Sequence, residues 1–195
     1  MPAPRQPRTM NPAAKQTAIL VAASDLFARH GYDKTSIAQV ASQANVAVGS
    51  VYRLFADKRA LLAAVHCVVE DAFIAAIQQG WAVGGELDAR TIAIAQGLFD
   101  TASELRELVS ILAEQRGGGK DLTGTSIRIV QAIEEIIQSG VDEGIIAPQP
   151  VAAKAEIAHG MVAGAMTGCF MREQPGDVPT YVGIVGGAMT SLLKL

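Results

Sequence analysis

The chain has 195 residues, of which 50% are hydrophobic and 18% are charged, and its only cysteines are Cys67 and Cys169. This composition excludes an intrinsically disordered chain, which needs low hydrophobicity and a high net charge. It also excludes a small scaffold held together by disulfides, and so few cysteines favour a reducing compartment. We therefore expect a soluble, cytoplasmic protein with a hydrophobic core.

The net charge of -3 hides two parts of opposite sign. Residues 1–62 carry eight Lys or Arg and three Asp, a net charge of +5. Residues 63–195 carry eight Lys or Arg and sixteen acidic residues, a net charge of -8. A basic N-terminal part on an acidic remainder indicates that the N-terminal part binds a polyanion.

A membrane span is the first alternative, because the mean hydropathy is positive. Two uncharged stretches in the C-terminal part, 157–171 and 178–193, have fifteen and sixteen residues. Both are shorter than the roughly 18–20 apolar residues that a spanning helix needs. The N-terminus has no apolar run of the kind found in a secretory signal. We therefore predict no membrane partner.

The spacing of prolines predicts an all-α protein of about nine helices. No proline occurs from residue 13 to residue 147, and this stretch is rich in Ala, Leu, Ile, Gln and Glu. Asn11 is a good N-cap and Pro12 fits the first helical position, so the first helix begins there. An apolar stripe continues at helical spacing to His30, and Gly31 ends the helix. Residues 1–10 lack this pattern and are predicted to be a flexible basic arm.

The next two helices are short and closely spaced. Ser36 and Gln39 have the spacing of a capping box, which starts the second helix at 35–36. Asn45 tolerates the left-handed conformation that a tight turn requires, and a third helix follows over about 48–55. Two short helices joined in this way predict a helix-turn-helix. A long fourth helix starts at 57–58 and runs to about residue 80, and five more follow at roughly 86–102, 103–116, 123–140, 151–173 and 180–194.

Catalysis is the rival class of function, and its motifs are missing. The segment Gly117-Gly118-Gly119-Lys120 resembles a phosphate-binding loop, but Asp121 replaces its Ser or Thr and Glu114 its first Gly. No nucleophile elbow, zinc-ligand spacing or nicotinamide fingerprint occurs. We expect no enzyme activity, no cofactor and no metal.

The residues of the predicted helix-turn-helix resemble a known family over about residues 13–62. They are Gly31-Tyr32, Thr35-Ser36-Ile37, Val40-Ala41, Ala44-Asn45-Val46, Gly49-Ser50-Val51-Tyr52, Phe55, Lys58 and Leu61-Leu62. This pattern is similar to the N-terminal domain of TetR-family transcriptional regulators. Asn45, Ala47 and Leu54 depart from the usual pattern, where Gly, a capping Ser, and His or an aromatic residue are common.

The resemblance implies a DNA-binding domain over residues 11–62 and a ligand-binding and dimerisation domain over 63–195. It also implies a homodimer that places one recognition helix per subunit in the major groove of a palindromic operator. We expect the DNA contacts to come from Thr35, Ser36, Val48, Gly49, Ser50, Tyr52, Arg53 and Lys58. Arg53 is the candidate for guanine readout or for a phosphate contact, and Ser50 can contact bases or phosphate. Lys58 and the Tyr52 hydroxyl are candidates for phosphate contacts, and Thr35 and Ser36 offer hydroxyls and helix N-terminal amides to a phosphate. Tyr52 has the alternative of a core tyrosine.

Small residues recur in the last two helices. Interior glycine costs a helix up to about 1 kcal/mol relative to alanine, so close packing is expected to offset that cost. In the family these helices pair with their mates in a four-helix dimer interface, and the alternative is packing inside one subunit. The predicted interface glycines are Gly160, Gly164, Gly168, Gly183 and Gly187.

An effector cavity in the acidic part is also implied by the resemblance alone. The candidate lining residues are His66, Phe73, Trp81, Phe99, His159, Met161 and Met166, and each of them has the alternative of an ordinary core residue. His66 and Glu70 lie four residues apart and are more consistent with a polar pair than with half of a metal site.

The sequence as a whole thus predicts a ligand-responsive transcriptional regulator, a repressor released from its operator by a small molecule. The alternative is a protein that binds DNA without sequence preference, or a membrane surface, through the same basic part.

Overall fold

A computed structural model describes residues 11–115, 126–170 and 176–195. Within these residues the chain forms nine α-helices and no β-strand. They are α1 (Pro12–His30), α2 (Ile37–Gln43), α3 (Val48–Leu54), α4 (Lys58–Ala82), α5 (Leu87–Glu104), α6 (Arg106–Gln115), α7 (Ile127–Asp142), α8 (Val151–Phe170) and α9 (Val178–Lys194). The predicted all-α fold is confirmed, with helix ends that differ from the predicted ones by a few residues. The predicted arm at 1–10 and the glycine-rich segment at 117–120 lie outside the described residues.

Local capping interactions start and end the first helices as the sequence predicts. The Asn11 side chain accepts a hydrogen bond from Ala14 N at 2.7 Å at the start of α1. Ser36 and Gln39 form the reciprocal capping box of α2. Asn45 has φ 54°, the left-handed conformation of the tight turn before α3.

The chain divides into two compact units between His66 and Cys67, inside α4. In the N-terminal unit, α1, α2 and α3 pack together with the first turns of α4. Val51 of α3 and Leu61 of α4 are completely buried in this core, as are Ile19 and Phe27 of α1. His30, placed on the apolar stripe by its spacing, is exposed at the end of α1. Burial of the inward face of α3 fixes which of its residues point to solvent.

The C-terminal unit is a helical bundle in which α5 packs on α9, α7 on α8, and α8 on α9. Two glycines allow close approach of helices. A Cβ on Gly80 of α4 would lie 2.5 Å from the backbone of Ile94 in α5, and a Cβ on Gly186 of α9 would lie 3.0 Å from the Cα of Ile92. One continuous core in this unit is formed by buried apolar side chains of α4, α5, α7, α8 and α9.

Two polar contacts also lie inside the C-terminal unit. The hydroxyls of Thr91 in α5 and Thr190 in α9 are 2.6 Å apart and buried. Glu70 of α4 is buried as well: it accepts a hydrogen bond from the Ser126 hydroxyl at 2.6 Å and one from Arg128 at 3.1 Å. These bonds join α4 to the start of α7.

Among the described helices, α4 is long and apolar enough to cross a membrane by length and composition alone. Glu70 and Asp71 interrupt its apolar run, so α4 contains no uncharged stretch long enough to indicate a span from the sequence. One such helix is weak support for a span, since core helices of soluble proteins meet the same criterion. The buried, paired carboxylate of Glu70 is typical of a protein interior rather than of a lipid-facing helix.

Candidate nucleic-acid interface

The outward face of α3 is the centre of the candidate interface. Successive residues of a helix turn by about 100°, so the residues opposite a buried position are those two before and two after it. Val51 is 0% exposed, which directs Gly49 and Arg53 away from the core. Tyr52 is 54% exposed beside them. A single face of α3 thus carries the long donor side chain of Arg53, the hydroxyl of Tyr52, and the backbone at Gly49, which no side chain covers.

The other predicted residues of α3 surround this face. Val48 is exposed at the start of the helix, and Ser50 is half-buried. Gly49 has open space around its Cα, because a Cβ there would meet nothing within 4 Å in the described ranges. Packing against these residues therefore does not require a glycine at this position. Ala47 precedes the helix without a side-chain cap, as its substitution for the usual serine predicts.

Thr35 and Ser36 are neighbours with different environments. The Thr35 side chain is 2% exposed, and its hydroxyl hydrogen-bonds to the carbonyls of Leu26 at 3.2 Å and Gly31 at 2.9 Å. Its proposed role as a hydroxyl donor to phosphate is therefore corrected: this hydroxyl fastens the end of α1 to the start of α2. Ser36 is exposed and caps α2, with its hydroxyl 2.9 Å from Gln39 Oε1. Ser36 remains a candidate.

Lys58, the first residue of α4, lies against the turn that follows α1. Its ammonium is 4.2 Å from the centroid of the Tyr32 ring and donates a hydrogen bond to the Asp33 carbonyl at 3.3 Å. Asp57 caps the same end of α4 by accepting from Ala60 N at 2.7 Å. Burial raises the pKa of the Tyr32 phenol, and the Asp57 charge raises it further. The phenol is therefore neutral at physiological pH.

An acidic side chain offsets part of the positive charge of this unit. Asp25 pairs with Arg29 at 2.6 Å and accepts a hydrogen bond from Gln43 at 2.8 Å. The hydrogen bond from Gln43, followed by the one from Arg29, lowers the pKa of the Asp25 carboxyl. Since Arg29 is already paired, Arg53 and Lys58 are the stronger candidates for binding DNA.

The predicted interface glycines of α8 and α9 fall into two groups. A Cβ on Gly160 or Gly164 of α8, or on Gly183 or Gly187 of α9, would meet nothing within 4 Å among the residues that the structure describes. Packing against the described part of the same subunit therefore does not explain these four glycines. Gly168 differs, because a Cβ there would lie 3.2 Å from the Tyr181 hydroxyl oxygen of the same chain. We attribute Gly168 to packing within the subunit.

Most of the predicted cavity residues lie together in the core of the C-terminal unit. Trp81, Phe99 and Met166 are buried there, with Phe73 and Met161 packed against the same core. The Phe99 ring is 5.8 Å from that of Phe170 and 6.0 Å from that of Tyr181.

The two predicted histidines do not belong to that cluster. His159 is buried on α8, where desolvation lowers its pKa. His66 is half-buried in the N-terminal unit.

An open groove of about 640 Å³ lies along α7 and the start of α8, and none of the predicted cavity residues lines it. Its walls include the carboxylates of Glu134, Glu135, Asp142 and Glu143. Glu143 is already paired with Arg90 at 3.1 Å. In the described part of the chain, no group of three His, Cys, Asp or Glu side chains is placed to hold a metal ion.

Comparisons with known proteins agree with the helix-turn-helix geometry. Residues 19–65 match the family model for bacterial regulatory proteins of the tetR family. A search of curated proteins finds no match.

Similar solved structures cover nearly the whole chain. One is a protein from Syntrophomonas wolfei assigned to the TetR family of transcriptional regulators, with 18% identity, a TM-score of 0.69 and coverage of 94% of this chain and 96% of that one. Another is the fatty acid degradation regulator FadR from Bacillus halodurans, with 17% identity, a TM-score of 0.67 and coverage of 94% and 97%. A third is FadR from Bacillus subtilis in complex with stearoyl-CoA, with 18% identity, a TM-score of 0.67 and coverage of 90% and 97%. At these identities the structures establish the fold. Residues 19–65 thus match the tetR family of bacterial regulatory proteins, and the chain as a whole has the fold seen in solved structures of TetR-family transcriptional regulators.

Proposed function

We propose that the protein is a cytoplasmic, ligand-responsive repressor that binds a palindromic operator as a homodimer and is released by a small-molecule effector. The observation that carries this proposal is the outward face of α3, where Gly49, Tyr52 and Arg53 are exposed opposite the buried Val51. A helix of this kind fits the major groove of B-DNA, where base edges carry a distinguishable donor and acceptor pattern.

Arg53 and Lys58 take different roles in this proposal. Arg53 is the long donor at the centre of the exposed face of α3, and its guanidinium fits the O6 and N7 acceptors of guanine. Lys58 lies outside that helix, at the start of α4, where a charge reaches the phosphate backbone rather than base edges. Tyr52, Ser36 and Ser50 supply hydroxyls for phosphate contacts, with Val48 as an apolar contact in the groove.

Selection of bound duplexes from a random DNA pool tests sequence-specific binding. The proposal predicts enrichment of a palindrome whose half-sites are about one helical turn, or a multiple of it, apart. Enrichment of a single half-site would contradict the dimer. Failure of any sequence to be enriched would contradict specific recognition, and equal binding to anionic vesicles and random DNA would favour the membrane-surface alternative.

Two alanine variants test the separate roles of the basic residues. Lys58→Ala is expected to weaken all duplexes similarly and to reduce the slope of log affinity against log salt by about one. Arg53→Ala is expected to relax the preference at one base pair per half-site, with a cost of about 1–3 kcal/mol there. If Arg53→Ala weakens every sequence equally, its contact is to phosphate.

The proposed dimer interface is the exposed face of α8 and α9 that carries Gly160, Gly164, Gly183 and Gly187. Apolar side chains flank these glycines, since Ile157 is 55% exposed and Ile184 is 65% exposed. Glycines with open space and exposed isoleucines on the same two helices are suited to close helix packing against a second copy, and a two-fold dimer also supplies the second recognition helix.

Bulky substitutions at the open glycines test this interface. Gly164→Leu and Gly187→Leu are expected to leave the helices folded, because none of the described residues lies where the new side chain begins. Both variants should sediment as monomers where the wild type sediments as a dimer. Ala89→Leu, at an exposed position of α5, is the control and should stay dimeric. A dimer that persists in both glycine variants would place the interface elsewhere.

For the effector, we propose a molecule with a long apolar chain, such as a fatty acyl-CoA. The predicted cavity residues Phe73, Phe99, Met161 and Met166 lie in an apolar core, and stearoyl-CoA binds the structurally similar FadR of Bacillus subtilis. A ligand bound among these side chains would separate them. The proposed mechanism is a population shift in which the ligand moves α4 and changes the spacing of the two DNA-binding units in the dimer.

Titration of the operator complex with acyl-CoAs of increasing chain length tests the effector class. The proposal predicts release of DNA by long-chain acyl-CoA, with free coenzyme A as the inactive control. An unchanged operator affinity at saturating acyl-CoA would reject this class. Release by coenzyme A alone would place recognition in the polar part of the ligand rather than in the apolar core.

A further inference from the structure

The side chain of Lys58 is held in place before any DNA is present. A free lysine samples many rotamers, and ordering it against a ligand reduces the affinity gained from the contact. Here the ammonium lies 4.2 Å from the centroid of the Tyr32 ring and donates to the Asp33 carbonyl at 3.3 Å. One of its three N–H donors is thus engaged by the carbonyl, which leaves others for a phosphate oxygen.

The ring under Lys58 is itself fixed by the core of the N-terminal unit. The Tyr32 ring lies 5.4 Å from that of Phe27, which is completely buried. At the start of the turn, Gly31 has φ 83°, a conformation suited to glycine, and its carbonyl accepts a hydrogen bond from the Thr35 hydroxyl. The platform for Lys58 is therefore continuous with the packed core.

We infer that Tyr32 is a positioning residue for DNA binding, because its ring holds the Lys58 ammonium in place to meet a backbone phosphate. This inference rests on the proposed function and adds a residue to it that does not contact DNA itself. The ring face makes the contact and the phenol hydroxyl does not, so phenylalanine replaces tyrosine in this role. At an exposed site, the contact between a cation and an aromatic ring shifts the equilibrium between the held and the free side chain by a factor of about two to five.

A double-mutant cycle on Tyr32 and Lys58 tests the inference. Operator affinity is measured for the wild type, Tyr32→Leu, Lys58→Ala and the double variant in the full-length protein. Tyr32→Leu is expected to weaken binding by about two- to fivefold when Lys58 is present and to have no further effect when Lys58 is alanine. Tyr32→Phe is the control that keeps the ring, and it should bind like the wild type.

Two results would overturn the inference. Equal weakening by Tyr32→Leu in both backgrounds would make Tyr32 a merely structural residue. Tighter binding by Tyr32→Leu would mean that the ring restrains Lys58 away from DNA. Melting curves check that each variant is folded, and Tyr32→Met replaces Tyr32→Leu if the latter is not.

The cycle also separates this inference from the proposed function. A phosphate contact does not depend on sequence, so the same four proteins can be compared on a random duplex if no operator is selected. If no operator is selected but Tyr32 and Lys58 are coupled in binding to a random duplex, specific regulation is rejected and the role of Tyr32 stands. If the wild type prefers its operator but Lys58→Ala binds DNA as tightly as the wild type, the proposal of a sequence-specific regulator stands and the role of Tyr32 is rejected.

Discussion

Replacing Ser126 with alanine removes two interactions at the start of α7, one of which joins this helix to α4. The Ser126 hydroxyl donates to the buried carboxylate of Glu70 at 2.6 Å and accepts the N-cap hydrogen bond from Ile129 N at 3.3 Å. Loss of an N-cap costs about 1 kcal/mol. Loss of a hydrogen bond to a buried charged group costs about 1.5–3 kcal/mol. Because Arg128 still pairs with Glu70, we take the lower part of the range and expect a total of about 2.5 kcal/mol.

Urea unfolding followed by the fluorescence of Trp81 measures this loss. Trp81 is the only tryptophan and belongs to the core of the C-terminal unit, so its signal reports the unit that contains Ser126. For a chain of this length, about 2.5 kcal/mol corresponds to a fall in the melting temperature of about 5–10 °C.

A second serine–carboxylate pair on the same helix provides the control. The Ser139 hydroxyl donates to Glu143 at 2.8 Å, but this contact is exposed to solvent. Ser139→Ala is expected to change the free energy of unfolding by less than about 0.5 kcal/mol. If Ser126→Ala costs no more than Ser139→Ala, the buried bond to Glu70 does not stabilise the C-terminal unit and the reasoning fails.

Three further variants test the packing and the buried charge of the same unit. Gly80→Ala should cost about 1–3 kcal/mol, because its Cβ would meet the Ile94 backbone at 2.5 Å, whereas Gly97→Ala, whose Cβ would make an ordinary 3.4 Å contact, should not destabilise in chemical denaturation. Phe99→Ala should cost about 3–5 kcal/mol by the same measurement, since this ring is completely buried, and a loss below about 1 kcal/mol would contradict its place in the core. Burial lowers the pKa of His159 in the folded state, so the unfolded chain binds more protons and stability should fall as the pH decreases below about 6.5, the ordinary histidine value. Unfolding curves at neutral and mildly acidic pH should show this fall in the wild type and a smaller one in His159→Gln; an equal fall in both would assign it to other groups.

The parts of the fold that were predictable from the sequence depend on contacts within a few residues. The cap at Asn11, the capping box at Ser36 and the left-handed turn at Asn45 are each made by side chains or backbone groups at most five positions apart. Such signals mark where helices begin and end. They do not specify which helices meet, so the packing of α5 on α9 had no counterpart in the sequence analysis.

The candidate sites were harder to predict, because their residues depend on distant parts of the chain. Thr35 is held inward by carbonyls at the end of α1, while the adjacent Ser36 points to solvent. Gly164 and Gly168 have the same helical spacing, but only Gly168 has Tyr181 beside it. The environment of each residue follows from the placement of a second helix, which sequence spacing does not give.

Glu70 shows the same limit for a charged residue. The sequence suggested a polar pair with His66, one turn away on the same helix. The structure adds two partners that the sequence did not indicate: the Ser126 hydroxyl and the Arg128 guanidinium both donate to the carboxylate from more than fifty positions along the chain. A single sequence offers no signal that relates positions so far apart, and the same holds for the contact between Lys58 and the Tyr32 ring.

The central claim is that two subunits recognise two half-sites, and the most direct measurement is equilibrium binding to the selected duplex with one or both half-sites intact. The account predicts two subunits per intact duplex and a preference over random DNA of about 10³-fold or more. Scrambling one half-site should remove most of that preference. Binding of one subunit per duplex, or equal affinity for the intact and scrambled sites, would contradict the account.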